Sequence, residues 1–231
     1  MPRSIDVYFE SSAKRTFAGA VDWPGWCRSA KEEASALAAL IAYGPRYAAV
    51  LAGAPAKVTG PDFQPPTDPA ALRLVERLKG GGATDFGVPG EAPASDHADL
   101  GAAEVKRLAA ILRACWAALD RAAAAAEGVV LRKGPRGGGR DLDKILGHVF
   151  EAEQAYIMQL GSRPPKGDGS TSDVAVEREA AIEAFTARAI GRPLATPRQT
   201  RKPWTPRYFV RRAAWHVLDH AWEIEDRAAP E

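Results

Sequence analysis

From about residue 99 onward, the sequence is four long stretches of helical periodicity separated by breakers, which limits the second half of the chain to packed helices. The first stretch, "LGAAEVKRLAAILRACWAALDRAAAAAEG", sets Leu108, Ile111, Leu112, Cys115, Trp116 and Leu119 along one side. The second, "RDLDKILGHVFEAEQAYIMQLG", has Asp141 as its cap and Gly161 as its stop. The third, "DVAVEREAAIEAFTARAIG", ends at Gly191, just before Pro193. The fourth, "TPRYFVRRAAWHVLDHAWEIEDR", opens with Thr205 as N-cap and Pro206 in the first helical position. Four helices of this length suit an antiparallel-type bundle, a fold that places metal and ligand sites between facing helices.

The N-terminal part has a different texture. "IDVYFES" and "RTFAGAVDW" are short, rich in β-branched and aromatic residues, and predict a pair of strands. "WPGW" turns the chain. Ser29, with Glu32 three residues on, has the capping-box pattern for a helix beginning in "SAKEEASALAALIAYG". "ALRLVERLKG" fits helix or strand, and "GGGATDFGVPGEAPASD" reads as a loop and linker. The expected fold class is therefore α+β: a small module and linker over residues 1–95, then a four-helix bundle over 96–231.

Residues 3–50 resemble the HicB-like β-β-α module, with "DWPGW" standing at that module's acidic-apolar-Pro-Gly turn and "KEEASALAALIAYG" as its helix. The resemblance implies a fold only. In that family the module can belong to an antitoxin, and no separate DNA-binding segment follows here.

Composition excludes several partners. The formal net charge is +2, too balanced to imply nucleic acid or an anionic membrane surface. No apolar run reaches the length of a membrane span: "ALAALIAYGPRYAAVLAG" is interrupted by Gly44, Pro45 and Arg46. Cys27 and Cys115 form no CxxC and no disulfide framework, as expected of thiols in a reducing compartment. The opening "MPRSIDVYFESS" lacks the apolar core of a signal peptide. A cytoplasmic protein is expected.

The chain has four histidines, and three of them fall on two of the long helices. His216 and His220, four apart, lie on one helix face, the spacing by which two imidazoles reach one metal ion. His148 has Ile145, Val149 and Ala152 around it and lies near the apolar stripe of the second helix. A lone histidine on such a face is more often a hydrogen-bonded core residue; three on facing helices argue for a metal site. His97, in "PASDHADL", is expected to be an exposed bystander.

Residues 99–228 resemble the DinB/YfiT-like superfamily of metalloenzymes, four-helix bundles with one histidine from the second helix and an HxxxH on the fourth. The resemblance implies His148, His216 and His220 as metal ligands. It also implies a small-molecule substrate, a low-molecular-weight thiol as co-substrate, since some relatives use mycothiol or bacillithiol, and an assembly that admits a homodimer.

Three imidazoles leave at least one coordination position open, as in catalytic sites. A divalent ion there lowers the pKa of a bound water or thiol. Zinc is the default for such ligands; nickel, iron, manganese and cobalt remain open by ligand type. Asp219, Glu223 and Glu151 are candidate partners for the outer ring N–H groups. Asp219 and Glu151 are individually more simply read as solvated carboxylates.

Depth along the helices orients the bundle. His148 is about 10 Å into the second helix, and His216 and His220 are about 10 to 16 Å from the end of the fourth. The second and fourth helices are therefore expected to run antiparallel, with a crossover after Gly161. "LRKGPRGGGRD" then ends beside the histidines, and Arg132, Lys133, Arg136 and Arg140 rim the site. Arg136 and Arg140, with the adjacent glycine N–H groups and a helix N-terminus, are candidate anion-binding residues for a cofactor or substrate carboxylate or phosphate. "RQTRKPWTPR" would lie at the far end, where Trp204 and Tyr208 either seal the bundle or bind a partner, with packing the expected role.

Three functions fit these residues. The first is a metal-dependent thiol S-transferase or hydrolase. The alternative is a non-catalytic metal or small-molecule sensor acting through a protein partner. The third is a structural protein whose histidines belong to the core. No GxSxG and no Cys-His arrangement supports covalent catalysis, and no Walker or Rossmann glycine motif occurs.

Overall fold

The computed structural model describes residues 4–54, 63–133 and 139–229. The chain is α+β, with one four-stranded sheet and, among the described residues, seven α-helices. The strands are β1 (Ile5–Ser11), β2 (Thr16–Ala20), β3 (Cys27–Ala30) and β4 (Leu72–Lys79). The helices are α1 (Glu33–Ala42), α2 (Gly44–Leu51), α3 (Gly82–Phe86), α4 (Ala102–Ala125), α5 (Leu142–Gln159), α6 (Thr171–Ala189) and α7 (Pro206–Ala228). None is long and apolar enough to cross a membrane by itself.

The sheet order is β3-β2-β1-β4, antiparallel except for β1 and β4, which run parallel. The hairpin of β1 and β2 pairs Val7 with Ala20 and Ser11 with Thr16. Two strands exceed the expected pair. β3 occupies "CRSA", so Ser29 lies in a strand and accepts a hydrogen bond from Arg15 at 3.0 Å instead of capping a helix. The helix begins four residues later, with Glu32 at its N-cap position. Gly25 explains the tight entry into β3: its φ is +94°, and a Cβ there would lie 2.9 Å from Leu218 of α7. β4 resolves the ambiguity of "ALRLVERLKG" as an edge strand with alternating burial.

The segment read as a linker is anchored instead. Glu10, fully buried on β1, accepts hydrogen bonds from Thr84 Oγ1 at 2.6 Å and from the backbone N–H groups of Gly90 and Glu91. Asp96 then pairs with Arg211 of α7. One apolar core runs from Val7 and Phe9 through α1 and α2 into the long helices, as far as Ile224. The other sheet face meets α7, where Phe17 packs edge-on against Trp215 at 6.0 Å.

α5 and α7 start at the caps read from the sequence, while α6 starts at Thr171, two residues before the expected Asp173. Asp141 caps α5 by accepting from Lys144 N, Ser170 caps α6, and Thr205 caps α7 with Pro206 next. α5 and α7 run antiparallel: the carbonyl of Arg140 meets Arg227, Tyr156 meets Arg212, and the carbonyl of Gln159 meets Trp204 N. α4 and α7 run the same way, since Glu104 pairs with Arg207 near their starts and Arg132, just past α4, bonds Arg227. The connection after Gly161 returns along α5, with Pro165 O accepting from Gln154 and Gly169 against Phe150. This crossover is why α5 and α7 oppose each other.

Candidate metal centre

α7 is almost wholly enclosed, with α4, α5, α6 and the sheet around it. A helix in that position is ordinarily apolar all round. α7 instead buries Arg211, Arg212, His216, His220 and Arg227. Buried polar groups need partners, so the pairing of each defines what the helix is built to do.

His148, His216 and His220 come together, one candidate ligand atom from each lying within 4.8 Å of the others. Ring centroids are 5.1 Å apart for His148–His216, 5.1 Å for His148–His220 and 4.7 Å for His216–His220. His148 Nε2 and His216 Nε2 are 3.2 Å apart. Two nitrogens each ~2.05 Å from one tetrahedral ion would be separated by ~3.3 Å. His216 Nδ1 is buried with no hydrogen-bond partner among the described residues. The spacing of the two Nε2 atoms fits a divalent ion, with Nδ1 left as the outer nitrogen of His216.

Protonation favours the same role. Burial, and then the charge of Arg140, holds the His148 pKa below the ordinary imidazole value. Burial pushes that of His216 well below it, and the other two histidines add to the effect. Both rings are thus neutral at neutral pH, the form that binds metal. His220 Nδ1 donates to Glu223 Oε2 at 2.9 Å, which leaves Nε2 as its free lone pair. The hydrogen bond from His220, with help from Arg227, holds the Glu223 carboxyl below its usual range. Arg227 Nη1 donates to Glu223 Oε1 at 2.7 Å.

Of the three carboxylates considered from sequence, Glu223 alone hydrogen-bonds a histidine, and Glu151 acts on His148 only through its charge. Asp219 pairs with Arg28 at 3.0 Å, and Glu151 is exposed. His97 is exposed and apart. Arg140 stands at the entrance of α5, exposed, with its charge felt at His148. Its carbonyl and that of Arg132 accept from Arg227, which ties the basic loop to the histidine end of α7. Arg136 lies outside the described residues.

His148 is half-buried while its two partners are buried, so the approach to the cluster is from the α5 side. Toward the start of α7 stands an aromatic wall. Tyr156 packs edge-on against His216 at 5.7 Å and tilted against Trp204 at 5.2 Å. Trp204, half-buried, also meets Tyr208, whose hydroxyl donates to Gly90 O at 2.7 Å.

Tyr156 and Arg212 were not singled out in the sequence. A signal was present: Arg212, His216 and His220 are successive members of one i, i+4, i+8 stripe. Comparison of the chain with protein-family models, curated proteins and solved structures finds no match in any of the three.

Proposed function

We propose that this chain is a divalent-metal protein of DinB-like type, holding its ion through His148, His216 and His220 and acting as a metal-dependent thiol S-transferase or hydrolase. The convergence of three imidazoles from two antiparallel helices carries the reading. The antiparallel pair and the crossover before the third long helix support the bundle assignment. A divalent ion with three neutral nitrogen ligands keeps an open position and makes a nucleophile of water or thiol at neutral pH.

The protein's own contribution is definable. Glu223 fixes the tautomer and plane of His220 and is itself held by Arg227. The ring of Tyr156 shields His216 from water on one side, strengthening local electrostatics. Cys27 and Cys115 are buried with raised pKa values, so any thiol in the reaction comes from outside the chain.

The test is turnover of a small electrophile with a low-molecular-weight thiol, and of activated esters with water, by zinc- or nickel-loaded protein. Metal-dependent turnover lost in His148→Ala supports the enzyme reading. Stoichiometric metal with no turnover in either assay favours the sensor alternative. A protein that takes up no metal contradicts both.

A further inference from the structure

α7 buries three guanidinium groups, and two are matched by carboxylates. Arg211 donates from Nε and Nη2 to the two oxygens of Asp96, both at 2.7 Å. Arg227 pairs with Glu223 and bonds the carbonyls of Arg132 and Arg140. Arg212 is different. It is 7% exposed, and no carboxylate lies within ion-pair distance of it among the described residues. Its hydrogen bond runs from Nη2 to the Tyr156 hydroxyl at 3.3 Å. Its Nη1 is buried with no partner among the described residues.

An unmatched buried cation opposes folding, because the protein interior replaces water without supplying an anion. Here the fold keeps it and orients it. The guanidinium lies over the rings of Trp215 at 5.0 Å and Tyr156 at 5.5 Å. Those contacts hold the plane and leave the Nη1 edge uncommitted. Arg212 lines a small cleft with Arg211, Tyr208, Trp215 and the exposed Glu91, on the side of α7 that faces the sheet and away from the three histidines; the Glu91 carboxylate makes no ion pair with it. Arg212 precedes His216 by one helical turn, and Tyr156 touches both.

We propose that Arg212 is the anion-binding residue of the site, taking a carboxylate or phosphate group of the substrate or thiol co-substrate. A planar guanidinium matches the two oxygens of either group, and low dielectric strengthens the pair. Tyr156, bonded to Arg212 and packed on His216, links an anion held there to the histidine cluster. The substrate assignment rests on the metal reading given above; anion binding at Arg212 does not.

The experiment titrates inorganic phosphate and succinate, against sodium chloride at equal ionic strength, into the full chain with and without zinc. Calorimetry and thermal melting are the readouts. At least one oxyanion should bind and raise the melting temperature where chloride does not, and the stronger of the two identifies the headgroup. Arg212→Gln should weaken that binding at least tenfold, and Tyr156→Phe should weaken it less. Arg212→Lys retains the charge without the fork and tests the case in which the glutamine variant does not fold. No oxyanion binding beyond chloride in the wild-type protein, or unchanged binding in a folded Arg212→Gln, overturns the proposal. Zinc uptake without oxyanion binding removes this inference and leaves the metal site. Oxyanion binding without zinc uptake upholds the anion site and removes the metal reading.

Discussion

His220 Nδ1 and Glu223 Oε2 lie 2.9 Å apart, less than a turn from each other on the last helix. Because a carboxylate only accepts, the proton sits on Nδ1 and the lone pair on Nε2, toward His148 and His216. Glu223→Gln keeps the shape, loses the charge and weakens the grip on Arg227. Zinc affinity is expected to fall about 10- to 100-fold, as measured by competition with a chromophoric chelator. An unchanged affinity would remove Glu223 from the site.

Arg211 and Asp96 join α7 to the segment after the sheet, and both are buried. Asp96→Ala leaves the Arg211 charge in the interior with only the carbonyls of Ala20 and Val21 as acceptors. A loss of about 3–5 kcal/mol is expected in urea unfolding. A loss below 1 kcal/mol, on the scale of about 0–1 kcal/mol for surface pairs, would show that the pair is solvated.

Two carboxyls, Glu153 on α5 and Glu177 on α6, are buried near each other. Burial raises Glu153 from 4.5 to about 7, although Trp116 Nε1 donates to it. Burial, and then the Glu153 charge, raises Glu177 from 4.5 to about 8. The folded state therefore keeps protons that the unfolded chain has released. Their contribution to stability falls as pH rises from about 4.5 to about 8 and is level beyond that. Glu177→Gln removes its share. The variant should exceed wild type at pH 8 by on the order of 1–3 kcal/mol after solvent screening, with the gap closing toward pH 4.5. Urea melts at the two pH values check this, and a gap that widens on acidification would contradict it.

The thiols are expected to be silent. Burial pushes Cys27 up to about 12, with Glu10 adding to the effect, and burial alone raises Cys115 further. At pH 8 a disulfide reagent should label neither in the native protein and both after unfolding in guanidinium. Rapid labelling of folded protein would place a reactive thiolate where the structure has none.

The helical half was legible because its signals are local. Asp141, Thr205 and Pro206 mark helix starts by chemistry within one turn. The His216–His220 spacing and the depth of His148 in its helix were enough to bring the three rings together. The sheet was harder to read. Ser29 and Glu32 imitate a capping box, yet pairing of Phe17 with Ser29 draws that segment into β3. The glycine- and proline-rich stretch before α4 looked like a free linker because its anchors, Glu10 and Asp96, bond residues far away in sequence. Arg212 could be placed on the histidine stripe from spacing, but its lack of a counter-charge exists only in the folded chain.

The central claim is a three-histidine metal centre, and its most direct test is metal stoichiometry. Untagged protein purified without added metal is analysed for elements and then titrated with zinc and nickel, beside the His216→Ala, His220→Ala double variant. Close to one divalent ion per chain is expected in the wild type and none in the variant. A folded wild-type protein that neither carries nor takes up zinc or nickel would contradict the claim, and the three imidazoles would then be core residues hydrogen-bonded to one another.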